Sequence, residues 1–231
     1  AIGGWMDTRS NSGTRIKQGC QPRVVRIRIF GDDPRQIHRI GKLSGNNNSC
    51  SLGCFELGFV FQIGQKTNFT LTSGKKATYY IDLRKLSLDH RAAPLIGQVM
   101  LDVLAQIPDV DAVGGLTMGA DPVASAVLHQ GAARGLKYDA FVVRKEPKDH
   151  GRGRQVEGPD VTGKRVVVLE DTSTTGGSPL KAIEALEREG AIVVGVAVVV
   201  DRAAPAQARI EEAGYPYFAA INLDDLGLQP Q

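Results

Sequence analysis

No apolar run in the 231-residue sequence approaches the roughly 18–20 residues of a membrane span. The longest candidate, Ile192 to Val200, is nine residues long and interrupted by Gly195, so it reads as a buried strand. The N-terminus carries no secretory pattern. Cysteine is scarce: Cys20, Cys50 and Cys54 are all there is, and with His38 they lack the paired knuckle of a structural zinc site. Aromatic residues make up 6% of the chain, and the basic residues near the start have only Phe30 among them, short of the repeated interleaving of a nucleic-acid surface. Neither Gly-x-x-x-x-Gly-Lys-Ser/Thr nor Gly-x-Gly-x-x-Gly follows the central strand described below, which sets aside the common mononucleotide and dinucleotide motifs. A cytoplasmic protein with neither membrane nor nucleic-acid partner is expected.

What remains is an ordinary globular composition, 42% hydrophobic and 23% charged, unevenly distributed. Residues 1–60 hold nine Lys or Arg against four Asp or Glu, while the rest holds 19 against 21. Ser10-Asn11-Ser12-Gly13 and Ser44-Gly45-Asn46-Asn47-Asn48-Ser49 are turn-rich, and only Val24 to Phe30 alternates as a half-buried strand does. We therefore divide the chain into an atypical N-terminal segment, 1–60, disordered or foreign to the domain, and a globular domain, 61–231.

Within that domain Phe55 to Ile63 reads as a short helix or strand, and Phe69 to Arg84 as a hairpin turning at Ser73-Gly74. A helix follows over Ala92–Ile107. Ala112–Pro122 is expected to be a strand running into a Gly-rich turn, and further strands are expected at Tyr138–Lys145, Val166–Leu169, Ala191–Val200 and Tyr217–Ile221. Helices are expected at Val123–Ala133, Ser178–Arg188 and Pro205–Ala213. This alternation predicts an α/β fold with a doubly wound, mostly parallel sheet, right-handed crossovers and a small N-terminal hairpin or hood. Ligands of such sheets bind beyond the carboxyl ends of the strands. Four polar clusters stand there: Gly114–Asp121, Arg144-Lys145, Glu170-Asp171 and Asp201-Arg202.

The most informative stretch runs from Val166 to Ser178. Val166-Val167-Val168-Leu169 is apolar on both faces, two acids end the strand, and Thr172-Ser173-Thr174-Thr175-Gly176-Gly177-Ser178 leads into a helix with Ser178 as N-cap and Pro179 in the first turn. A helix N-terminus welcomes an anion, hydroxyls add donors, and glycines let backbone amides approach. Glu170 and Asp171 would repel a phosphate, so they call for ribose hydroxyls or a magnesium shell. The second stretch, Arg144 to Arg154, has five basic residues and His150 with no apolar anchor. Such a loop suits a departing pyrophosphate, whose charge grows in the transition state.

Hydrophobic strand, two acids and a Thr/Gly-rich loop together resemble the phosphoribosyl-pyrophosphate (PRPP) motif of type I phosphoribosyltransferases. Arg144-Lys145-Glu146-x-Lys148-x-His150-Gly151, with Phe69-Thr70-Leu71-x-Ser73-Gly74-Lys75-Lys76 upstream, is similar to orotate phosphoribosyltransferase over residues 69–228. That family joins orotate and PRPP with magnesium, giving orotidine 5′-monophosphate and pyrophosphate in pyrimidine (UMP) synthesis, and works as a homodimer with a shared site. The resemblance implies PRPP contacts from Arg144, Lys145, Lys148, His150, Glu170, Asp171, Thr172, Ser173, Thr174, Thr175, Gly176, Gly177 and Ser178. Lys148, His150 and Asp171 would be catalytic, and Thr174 and Arg202 would meet orotate. The Thr117–Asp121 turn would face pyrophosphate, and Tyr79 and Tyr80 the pyrimidine. Magnesium would be held through PRPP and water, with no direct protein ligand.

Two departures stand out. Thr72 occupies a position where many relatives carry lysine, and residues 1–60 lack the amphipathic helix that usually covers the site. The PRPP motif alone does not choose the base, so a phosphoribosyltransferase for another base is one alternative. A regulator of the same fold is the other, supported only by the basic N-terminal segment.

Overall fold

The computed structural model describes residues 24–30, 37–44, 57–62, 69–70, 76–77, 81–147, 154–202, 205–226 and 228. In chain order the elements are β1 (Val24–Phe30), β2 (Ile37–Ser44), β3 (Leu57–Gln62), β4 (Phe69–Thr70), β5 (Lys76–Ala77), α1 (Arg84–Ser87), α2 (Ala93–Leu104), β6 (Ala112–Leu116), α3 (Ala120–Ala133), β7 (Asp139–Val143), β8 (Val156–Glu157), β9 (Arg165–Ser173), α4 (Gly177–Arg188), β10 (Ile192–Asp201), α5 (Ala206–Glu212) and β11 (Tyr217–Asn222). Strands β2-β1-β3 make one small sheet and β4-β5 an antiparallel pair pairing Phe69 with Ala77, the expected hairpin. β2 was not foreseen, because Ile37–Ser44 mixes glycine and charge without a clean alternation. Lys148, His150, Thr72, Tyr79, Tyr80 and the three cysteines lie outside the described residues.

The main sheet has the order β11-β10-β9-β6-β7-β8. Every neighbouring pair is parallel except β7-β8, so the expected α/β architecture is present. Chain order runs outward in one direction from β6 to β7 and in the other from β9 through β10 to β11. The two halves diverge between β6 and β9, which makes that gap the topological switch point.

The Val166–Leu169 run explains why β9 sits in the middle. All four residues are fully buried, and alternate ones face opposite layers. Val167 and Leu169 pack with Ile96, Met100, Val123 and Val127 from α2 and α3. Val166 and Val168 pack with Ala182, Ile183 and Leu186 from α4 and Ile210 from α5. A strand buried on both faces has no polar side to spare until its end. α2 turns Ile96, Met100 and Leu104 fully inward, while Leu95 and Val99 are only half-buried.

Several boundaries differ from the sequence reading, each for a local reason. β9 does not stop at Leu169; its ladder to β10 continues through Glu170, Thr172 and Ser173, paired with Val198, Val200 and Asp201. The two acids therefore stand inside the strand. The hairpin's second strand ends at Ala77 rather than reaching Arg84, which instead opens α1. α3 begins at Ala120, three residues early, since Pro122 is compatible with a first turn. β8 hides among turn residues of the 146–163 segment as a two-residue partner of β7.

Removing a side chain from the doubly packed strand should be costly. Leu169→Ala is expected to lower unfolding free energy by about 3 kcal/mol. Ile192→Ala, where β10 begins and Ile192 is 50% exposed, should change it by less than about 0.5 kcal/mol. Urea denaturation of the two variants measures both.

Candidate active site

The switch point gathers three carboxyl groups. Glu170 is only 6% exposed. Asp171 is half-buried next to it, and Asp121 comes from the first turn of α3. The β6–α3 turn closes onto this group: a Cβ at Gly119 would lie 2.7 Å from an Asp171 carboxyl oxygen and 2.9 Å from one of Glu170. Only a residue without a side chain lets the turn come so near. Thr117 amide is tied to the Val143 carbonyl at 2.8 Å, so the turn is anchored across β7 as well. Thr117 Oγ1 donates to Asp121 Oδ2 at 2.6 Å, while Asp121 Oδ1 is buried without a partner among the described residues.

Burial pushes the Glu170 carboxyl up to about 9, with the neighbouring Asp171 carboxylate adding to the shift. A proton is thus retained at neutral pH. The adjacent backbone keeps both groups in place: Asp171 amide donates to Glu170 Oε1 at 3.2 Å, and Thr172 amide to Asp171 Oδ1 at 2.7 Å.

Beyond Ser173 the chain turns into α4. Ser178 is not the N-cap; Gly176 is, in a left-handed conformation with φ of 72°, and no side chain caps the helix. A left-handed φ is strained for any residue but glycine, and α5 leaves little room there, with Ala206 Cα 3.3 Å from where a Cβ would lie. The uncapped first-turn amides remain for an anion. Arg209 Nη1 of α5 donates to the Thr175 carbonyl at 2.6 Å. In a planar trans peptide the next N–H points the opposite way, so this bond aims the Gly176 amide away from α5. Thr174, Thr175 and Ser178 are exposed around the turn. Ser173 is buried, and its hydroxyl faces the buried Tyr217 hydroxyl without a well-formed hydrogen bond to it.

Arg202 follows β10, its amide donating to the Ser173 carbonyl at 3.2 Å. Its Nε is buried with no hydrogen-bond partner among the described residues. Arg144 and Lys145 leave the end of β7 on the other side of the switch point. Described site residues from β7, β9, α4 and β10 thus converge on one sheet edge. Gly119 was read in the sequence only as part of the Thr117–Asp121 turn, and Arg209 went unnoticed. The Gly-rich turn after a strand was the signal for Gly119; nothing local marked Arg209, which acts across 34 residues. Among the described residues no group of three or more His, Cys, Asp or Glu is placed to hold a metal ion, and none of the helices is long and apolar enough to cross a membrane.

The protonated Glu170 has a measurable consequence. Its folded form holds a proton between the ordinary value of 4.5 and about 9, so stability should fall as pH rises through that window. Glu170→Gln is expected to flatten this slope, gaining on the order of 3 kcal/mol over the native protein at pH 8 and nothing near pH 4. Denaturation curves across pH measure the difference.

Known proteins resemble this chain in sequence and fold. Residues 95–215 match the phosphoribosyl transferase domain family. Orotate phosphoribosyltransferase of Streptomyces avermitilis is 62% identical over 160 residues, 69% of this chain and 87% of that protein. The crystal structure of the Mycobacterium tuberculosis orotate phosphoribosyltransferase with Fe(III) dicitrate is 50% identical, with a TM-score of 0.66 over 73% of this chain and 93% of that one. The structure of the same enzyme in complex with PRPP gives 49% identity and a TM-score of 0.61, covering 70% and 91%. With its doubly wound sheet, its acid pair at the switch point and these relatives, the chain belongs to the orotate phosphoribosyltransferase family.

Proposed function

We propose that this chain transfers the 5-phosphoribosyl group of PRPP to orotate, releasing pyrophosphate and forming orotidine 5′-monophosphate. The observation that carries the reading is the pairing, within one strand-loop-helix, of two carboxyl groups with uncapped helix amides at the switch point. The relative crystallised with PRPP supports the donor.

In this reading the 5′-phosphate sits on the first turn of α4, with Thr174, Thr175 and Ser178 adding hydroxyls. Glu170 and Asp171 accept hydrogen bonds from the ribose hydroxyls, Glu170 ionising as those donors replace its proton. Displacement at the anomeric carbon builds oxocarbenium character beside Asp171, whose negative charge favours it. Pyrophosphate departs toward the Thr117–Asp121 turn and toward Arg144, Lys145, Lys148 and His150. Orotate is an anion already, so positioning matters more than proton removal. The unpartnered Arg202 Nε suits one oxygen of orotate, and Thr174 supplies a further donor.

Magnesium belongs to the same proposal. Magnesium would be held by oxygens of PRPP and by water, with no direct protein ligand, in keeping with the absence among the described residues of a three-carboxylate cluster placed to hold a metal ion. When bound it would offset the charge of the leaving pyrophosphate. The reading extends to a cytoplasmic homodimer with a shared site, acting in pyrimidine synthesis.

A spectrophotometric assay with PRPP and magnesium tests this directly, offering orotate, uracil and hypoxanthine in parallel. Loss of orotate absorbance with no turnover of the other two is expected. Turnover of another base instead would remove the substrate, and silence with all three would remove the reaction. Lys148→Ala should lower kcat about a hundredfold while weakening PRPP binding far less.

A further inference from the structure

Gln155 is one of four buried polar or charged residues among those described, and two of the others, Glu170 and Ser173, line β9. It sits where the chain returns into β8, opposite the residues that leave β7 for the basic loop. Its backbone carbonyl accepts from the Arg144 amide at 2.8 Å. Its side-chain Nε2 donates back to the Arg144 carbonyl at 2.7 Å and, at the longer distance of 3.5 Å, to that of Lys145. The remaining atom, Oε1, accepts from Arg188 Nη2 at 2.7 Å. Arg188 is itself held by Nε donating to the Glu184 carbonyl at 3.1 Å, one turn earlier in α4.

The chemistry of the groups dictates the orientation. Arginine has donors and no acceptor, so it takes the oxygen of the amide and leaves the NH2 for the carbonyls. A guanidinium donor makes that bond stronger than a neutral one, and burial strengthens it again. Other restraints on Arg144 are weak. Its 3.6 Å pairing with Glu157 joins two groups that are each about 40% exposed, a situation worth little. Its Nε reaches the Glu146 carbonyl only at 3.4 Å.

We propose that Gln155, oriented by Arg188, is a positioning residue that fixes the backbone of Arg144 and Lys145 for their contact with pyrophosphate. The inference rests on the phosphoribosyl transfer proposed above. It makes α4 a two-ended element: its first turn holds the phosphate of the substrate, and its last residue holds the stem from which the leaving-group contacts spring. Correct placement of the cations matters most when charge develops on the leaving group, so loss of the clamp weakens the transition state more than the ground state.

The test uses Gln155→Leu, Gln155→Glu, Arg188→Met and Arg188→Lys in the full chain, with melting curves to confirm that each is folded at the assay temperature. Gln155→Leu and Arg188→Met are expected to lower kcat about tenfold with KM for PRPP changed less than about threefold, the mark of misplacement rather than lost binding. Gln155→Glu should behave like Gln155→Leu, because a carboxylate accepts from Arg188 but donates nothing to Arg144. Arg188→Lys should restore most of the rate. The Gln155→Leu/Arg188→Met pair should be no worse than either single change, since both break one linkage. Independently of turnover, amide exchange over residues 144–146 and 154–157 should quicken at least tenfold in Arg188→Met, with β9 unaffected.

Unchanged exchange overturns the clamp, whatever the enzyme's activity. Lower melting temperature with native kcat reduces Gln155 to a structural residue and overturns its positioning role. Absence of orotate turnover in the native chain would instead overturn the proposed reaction, and the exchange measurement would still decide whether the clamp exists.

Discussion

Two carboxyl groups held side by side, one of them buried, are the constraint on which this architecture turns. An isolated carboxyl at Glu170 would be exposed and ionised. Here the strand continues past Leu169, the β6–α3 turn closes over it at Gly119, and Asp171 stands next in sequence. Desolvation and like charge act together, and the result is a retained proton near neutrality. Such an arrangement costs stability and is tolerated where a ligand relieves it. In the proposed reaction the ribose hydroxyls do so.

The sheet topology explains why the other groups arrive at the same place. Because the two halves of the chain wind away from β6 and β9, the ends of these strands have no covering connection between them. Both neighbouring crossovers begin there, α3 through Gly119 and α4 through Gly176, and each offers backbone where a side chain would intrude. α5 then supports the second turn from below through Arg209. At its opposite end α4 reaches Gln155 through Arg188. One helix touches both extremities of the proposed substrate site.

Much of this was legible in the sequence because the relevant physics is local. Four consecutive apolar residues, three of them β-branched, before two acids read as a strand buried on both faces, and a Thr/Gly turn leading into a helix has the donors of an anion cradle. The same locality led to the errors. Ser178 has the chemistry of an N-cap, but the cap falls on Gly176, whose left-handed φ suits glycine and beside which α5 leaves little room for a side chain. β8 is two residues long and exists through pairing with β7. Arg209 and the Gln155–Arg188 linkage join residues about thirty positions apart or more, and no spacing rule reports them.

A crystal structure of this protein with PRPP bound tests the central claim most directly. The account expects the 5′-phosphate on the amides of the first turn of α4, the ribose hydroxyls on Glu170 and Asp171, and the pyrophosphate between the Thr117–Asp121 turn and Arg144-Lys145. A PRPP molecule whose phosphate avoids that turn, or whose ribose leaves Glu170 and Asp171 untouched, would contradict it.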